Sequence, residues 1–136
     1  MTPFVVWQMT STRSILHRHL ADLSRPYRLW IGEGDEFVII TGVNVPPGQN
    51  MAQTDLLVEL PSDYPLSPPG VGDNHIFVPV GIRRQGRRLN HVHEGMTPDF
   101  ETPGFGPWAW WCYSHISWDP CRDNLIKFVE MIRADF

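Results

Sequence analysis

Cysteine is scarce in this chain: two among 136 residues, Cys112 and Cys121. Two are too few for a disulfide scaffold, and neither stands in a Cys-x-x-Cys spacing, so redox chemistry is not the first expectation. Long hydrophobic runs are missing as well, and none approaches the roughly 20 residues that a membrane-crossing helix needs. Positive charge is in short supply: 11 Lys and Arg against 15 Asp and Glu leave a net charge of −4. That balance argues against a general nucleic-acid binder, whose phosphate affinity comes from net and clustered positive charge. The stretch from Met1 to Thr10 has neither a basic leading region nor a small-residue cleavage site, so no secretion signal is read and a cytoplasmic location is expected.

What is present is hydrophobic mass and punctuation. Hydrophobic residues make up 42%, enough to bury a core within a single domain spanning 1–136, while 13 prolines and 11 glycines predict many loops. Ser11 to Leu23 reads as an amphipathic helix with Leu16, Leu20 and Leu23 on one face, and His17 and His19 are expected at the surface. Arg28 to Ile31 and Glu36 to Val45 read as strands, the second apolar on both faces and therefore covered on both. Pro46-Pro47-Gly48 breaks that run, and Asp55 to Leu60 follows as a half-buried strand with Leu56, Val58 and Leu60 on one face. His75 to Val80 predicts a fourth strand, Arg83 to Arg88 a turn, and Leu89 to Glu94 a short returning strand. Gly95 to Pro107 has no periodicity, and its aromatics predict a long, packed, functional loop. In the last element Asp119 is placed to cap, Pro120 suits the first helical position, and Leu125, Phe128, Val129 and Ile132 share a face. Helix, antiparallel four-stranded meander, long loop and closing helix predict an α+β domain.

Two signatures bracket the chemistry. Tyr64-Pro65-Leu66-Ser67-Pro68-Pro69 follows the strand ending at Leu60, and its prolines remove ladder donors, so the sheet must stop and a stiff, extended ribbon must run on. Trp118-Asp119-Pro120 opens the closing helix, and Cys112 lies between the two. In this order, Tyr64, Pro65, Pro68 and Pro69, then a cysteine, then Trp118 and Pro120, the chain resembles the ubiquitin-conjugating enzyme fold, and more narrowly its bacterial relatives. Those relatives work beside ubiquitin-like proteins, activating enzymes and isopeptidases in operons associated with antiviral defence. The family's His-Pro-Asn tripeptide is missing here, and the segment from Tyr64 to Trp118 is longer than in eukaryotic members. The loop around the active site has been rebuilt.

The resemblance implies that Cys112 accepts a ubiquitin-like protein as a thioester from an activating enzyme and passes it to a target protein. No cofactor is implied, since the activating enzyme consumes the ATP. A thioester conserves the energy of the activated carboxyl terminus and leaves its carbonyl open to an amine. His115, His93 and His91 are candidates to lower the thiol pKa or take a proton from the incoming nucleophile. Asn90 or Asn74 is the candidate oxyanion donor. Arg13 and Arg18 of the first helix, with the loop from Pro46 to Gln53, are the expected docking face for the activating enzyme. Arg83, Arg84, Arg87 and Arg88 form a basic hairpin tip, read either as a solvated turn or as a surface for an acidic partner.

Alternatives stay open at this point. Trp108, Trp110, Trp111 and Tyr113 surround Cys112 closely enough in sequence to make it core packing, which would leave a non-catalytic binding or scaffold module. Cys121, expected in the first turn of the last helix, is a rival thiol favoured by the helix dipole. His91, His93, Cys112 and His115 also add up to four zinc-type ligands.

Overall fold

A computed structural model describes residues 3–70, 75–112 and 117–136 of the chain. The first element is a long helix, α1 (Pro3–Leu23), and the last is α2 (Leu125–Ala134). Between them come β1 (Arg28–Ile31), β2 (Phe37–Asn44), β3 (Gln53–Glu59), β4 (Ile76–Pro79), a small hairpin of β5 (Arg83–Arg84) and β6 (Arg87–Arg88), then β7 (Val92–His93) and β8 (Trp108–Trp111). The sheet is antiparallel in the order β1-β2-β3-β4-β8-β7. The first four strands form the expected meander, and two further strands extend it. Trp108 to Trp111, read from sequence only as packing around Cys112, enters the sheet beside β4, with Phe77 opposite Trp110.

Strand alternation sends side chains to two different cores. Val38 and Ile40, Leu56 and Val58, Ile76 and Val78, and Ala109 and Trp111 face the helices. There they meet Leu16, Leu20 and Leu23 of α1 and Leu125, Phe128, Val129 and Ile132 of α2, the two faces that the helical periodicity predicts. The intervening residues Phe37, Ile39, Leu57, Phe77 and Trp108 face the other way, where Phe100 and Phe105 of the β7–β8 loop cover them. The expected cover on both sides of β2 is therefore real. β3 is not half-buried as expected, because Leu57 is sealed under that loop.

The registers place two ends on the sheet. Phe37 opposite Glu59 and Val58 opposite Ile76 put the β1–β2 connection and the ribbon after β3 at one end, and β8 runs toward that same end. The β2–β3 connection and the β5–β6 hairpin lie at the other. The hairpin turns on Gln85 (φ 51) and Gly86 (φ 78), the two successive positive φ angles of a tight two-residue turn. It is tied down by Asn50, whose side chain accepts from the Arg83 N–H at 2.8 Å, and by an Arg83–Glu94 ion pair at 2.6 Å.

Candidate functional site

The two bracketing signatures, 53 residues apart in sequence, meet in space: the Trp118 indole N–H donates to the Pro65 carbonyl at 2.8 Å. The Trp118 ring lies 5.7 Å from that of Tyr64 and 6.2 Å from that of Phe128, so it wedges the ribbon against α2. Tyr64 is buried, and its hydroxyl shares a 2.6 Å hydrogen bond with His19 Nδ1. Burial pushes the Tyr64 phenol far up, aided by the charge of Asp123, and burial lowers the His19 imidazole, aided by Arg18. Both groups are therefore neutral at physiological pH, which suits a buried hydrogen bond between them. His19 was expected at the surface; it falls between Leu16 and Leu23 on the buried stripe of α1, and that spacing was the signal for its burial.

The ribbon departs from a simple extended run. It opens in consecutive turns, with the Tyr64 N–H donating to Pro61 O at 3.1 Å and the Leu66 N–H to Asp63 O at 2.8 Å, and the Tyr64–Pro65 peptide is cis. Pro65 and Pro69 are buried and Pro68 is half-buried. Gly70 ends the ribbon at φ 71, where a Cβ would stand 2.7 Å from Ile76 Cγ1, so both the backbone and the space require glycine.

The closing helix begins later than expected. Asn124 caps it, its side chain accepting from the Lys127 N–H at 2.8 Å. Asp119 and Pro120 instead belong to a separate turn, in which Asp119 Oδ1 accepts from the Cys121 N–H at 2.9 Å and Asp123 Oδ2 from the Asp119 N–H at 2.7 Å. An Asp-Pro pair suits a turn as well as a helix start, and the local side-chain bonds decided it. Hydrogen bonding to Lys127 and to the Asp119 backbone holds the Asp123 carboxyl below the usual range. Cys121 is thus exposed on a turn ahead of α2 rather than in its first turn, and the dipole argument for it as a rival nucleophile is lost.

Cys112 directly follows β8 and is a free, partly exposed thiol. Its N–H donates to His91 O at 2.7 Å, continuing the β7–β8 ladder by one pair and fixing its backbone at the ribbon end of the sheet. Trp108 and Trp111 are buried on opposite faces just before it. The candidate histidines His91 and His93 diverge. The His91 ring stands edge-on to Trp111 with centroids 4.2 Å apart, whereas His93 lies beside Trp110 at 5.1 Å. Burial lowers the His91 pKa, the Asp135 carboxylate opposes this, and His93 adds to it. His91 Nε2 is buried and has no hydrogen-bond partner among the described residues. Asn90 is exposed next to His91. His115, Tyr113 and Asn74 lie outside the described residues. Among the described residues no three His, Cys, Asp or Glu side chains converge to hold a metal ion.

The expected arginine surface is split. Arg13 faces the β1–β2 connection, 3.4 Å from Gly34 O and 3.9 Å from Asp35, so it stands at the opposite end of the sheet from the Pro46 to Gln53 loop. Arg18 is exposed on α1. Arg84, Arg87 and Arg88 are exposed on the hairpin, which docks on the Pro46 to Asn50 loop through Gln49 and Arg84.

A helix, an antiparallel meander and a closing helix, with the proline ribbon fastened to the tryptophan ahead of that helix, define a domain of the ubiquitin-conjugating-like class. The chain belongs to prokaryotic E2 family E, whose model matches residues 15–136. Its role is ubiquitin-conjugating-like in the broad sense that the family carries. No curated protein and no solved structure matches the chain significantly. Among the described residues, no helix is long and apolar enough to cross a membrane.

Proposed function

We propose that the protein is a carrier that takes a ubiquitin-like protein onto Cys112 as a thioester and hands it to an amine on a target. The observation that carries this reading is the partly exposed Cys112 thiol, set at the ribbon end of the sheet with its backbone fastened to His91 O at 2.7 Å. In the loading step the Cys112 Sγ bonds to the C-terminal carbonyl carbon of the modifier, and the bond to the activating enzyme's thiol breaks. In the transfer step the target nitrogen bonds to the same carbon, the C–S bond breaks, and the sulfur leaves as a thiolate. His91, whose pKa burial lowers, is a candidate to receive the amine proton, with His93 and His115 as further candidates. Asn90, exposed beside His91, is the candidate donor to the tetrahedral oxyanion. ATP is spent by the activating enzyme, so the reaction belongs in the cytoplasm and, by analogy with the family's setting, in antiviral defence. Exposed Arg18, with Arg13, offers the activating enzyme a basic helix face, while Arg84, Arg87 and Arg88 offer one to an acidic partner.

Reconstitution tests the carrier reading. Mixed with its activating enzyme, ATP and the ubiquitin-like protein, the chain should form an adduct that thiol reductant cleaves. Cys112→Ala should abolish that adduct and Cys121→Ala should keep it. The reverse pattern would move the nucleophile to Cys121. A second reading, a non-catalytic binding module, draws on the partial burial of Cys112 at the end of a strand whose Trp108 and Trp111 are buried. Binding of the ubiquitin-like protein without any adduct would establish it instead.

A further inference from the structure

We propose that the cleft on the loop-covered face, over the ends of β1 and β2, binds a lysine- or arginine-bearing segment of the acceptor protein. The cleft encloses about 350 Å³. Phe37 and Phe100 form its floor, stacked with ring centroids 4.4 Å apart, and Trp30 forms a wall 5.6 Å from Phe37. Trp30 is 37% exposed, a large aromatic left open to solvent at the sheet edge. Glu33, Glu36 and Glu101 complete the lining. An aromatic face flanked by carboxylates matches a guanidinium or ammonium ion, which the ring quadrupole and the carboxylates attract together.

The charges around the cleft are unevenly answered. Just outside it, Asp35 meets His17 at 2.9 Å and Arg13 at 3.9 Å, and Glu59 meets His75 at 2.5 Å. Glu33, Glu36 and Glu101 have no ion pair among the described residues. The carboxylates turned to the cleft are those left for a partner's cation, and the net charge of −4 draws such a partner in.

Position supplies the link to function. The cleft lies at the end of the sheet toward which β8 runs before Cys112, and Trp110 packs on the same face. β2 and β8 are three strand spacings apart, about 14 Å, which an extended chain crosses in about five residues. A basic segment seated in the cleft therefore leaves its flanking lysine within reach of the thiol. Naming the segment as the acceptor's rests on the carrier reading; its docking does not.

The test uses the Cys112→Ala protein, so that a failure of thioester chemistry cannot enter the result. A fluorescein-labelled peptide alternating arginine and glycine is titrated by anisotropy, beside a counterpart with glutamate for arginine. The arginine peptide should bind, more weakly as salt rises, and the glutamate peptide should not. Trp30→Ala, and separately Glu33→Gln with Glu101→Gln, should each weaken binding about tenfold, as expected for a central aromatic anchor and its charged rim. Glu130→Gln, which removes a charge on α2, should leave the affinity unchanged. No binding, equal loss in Glu130→Gln, or undiminished binding in the cleft variants would each overturn the proposal. So would a concentration-dependent dimer by light scattering that Arg87→Glu abolishes, since the cleft would then hold the hairpin of a second copy.

Discussion

On one face of the sheet, Val38, Ile40, Leu56, Val58, Ile76 and Val78 are closed over by two helices whose apolar stripes recur every three or four residues. On the other, Phe37, Ile39, Leu57, Phe77 and Trp108 are closed over by a loop that pins itself with separate anchors. Phe100 stacks on Phe37, Phe105 lies 6.0 Å from Trp30, and Trp108 donates from its indole N–H to Thr102 Oγ1 at 2.9 Å. A helix satisfies its own backbone and can cover a sheet with a continuous stripe, whereas a loop must leave part of its backbone to water and so covers in patches. The helix-covered core is correspondingly sealed, and the loop-covered one is open at its rim, where Trp30 and the carboxylates of the cleft stand. Cover by helices gives stability, and cover by a loop leaves room for recognition.

Three changes sharpen or break this contrast. Phe128→Ala, at a fully buried position of α2, should cost about 3–5 kcal/mol in denaturant unfolding, with an unchanged m value. Phe100→Ala, which removes the stack on Phe37, should cost only about 1–2 kcal/mol. Its hydrogen exchange should rise in residues 95–107 while α2 keeps its protection. Equal losses in the two variants, or deprotection of α2 by Phe100→Ala, would show that the two cores melt as one. The smallest effect concerns pH. Burial holds the folded His91 pKa below its unfolded value of about 6.5, so on acidification the unfolded chain binds the proton first. Stability is therefore intact above that value and lost as pH falls through it toward the lower folded pKa. His19, lowered by burial in the same core, acts in the same direction. His91→Phe should flatten the decline measured between about pH 7.5 and 5.5; an unchanged slope would mean that the ring beside Trp111 protonates without cost.

The same contrast explains what could be read from the chain. Leu16, Leu20 and Leu23, and Leu125 to Ile132, announce their helices because burial and backbone share one period. The Gln85-Gly86 tip is legible because Gly86 takes a positive φ without steric cost. Trp108 to Trp111 was missed as a strand because nothing in Trp-Ala-Trp-Trp after a proline marks alternation; its geometry comes from β4 and β7, which lie far away in sequence. Asp119 and Pro120 carried a sound helix-start pattern that Asp123 diverted into a turn. At the site, the Tyr64 and Trp118 signatures were legible, but their hydrogen bond and the burial of His19 between them were not, because both depend on tertiary approach.

The place of β8 in the sheet also sets how far in sequence its contacts reach. β1 to β4 pair with their neighbours in sequence, over short connections that close at little entropic expense apart from the ribbon. Between Pro79 and Trp108, which are register partners, the chain turns through the hairpin, contributes β7 and crosses the second face. Closing such a long connection costs more chain entropy than closing the short turns of the meander. Cys112 rides on that strand, so the place of its backbone depends on partners distant in sequence on both sides, β4 and the His91 carbonyl ahead of β7.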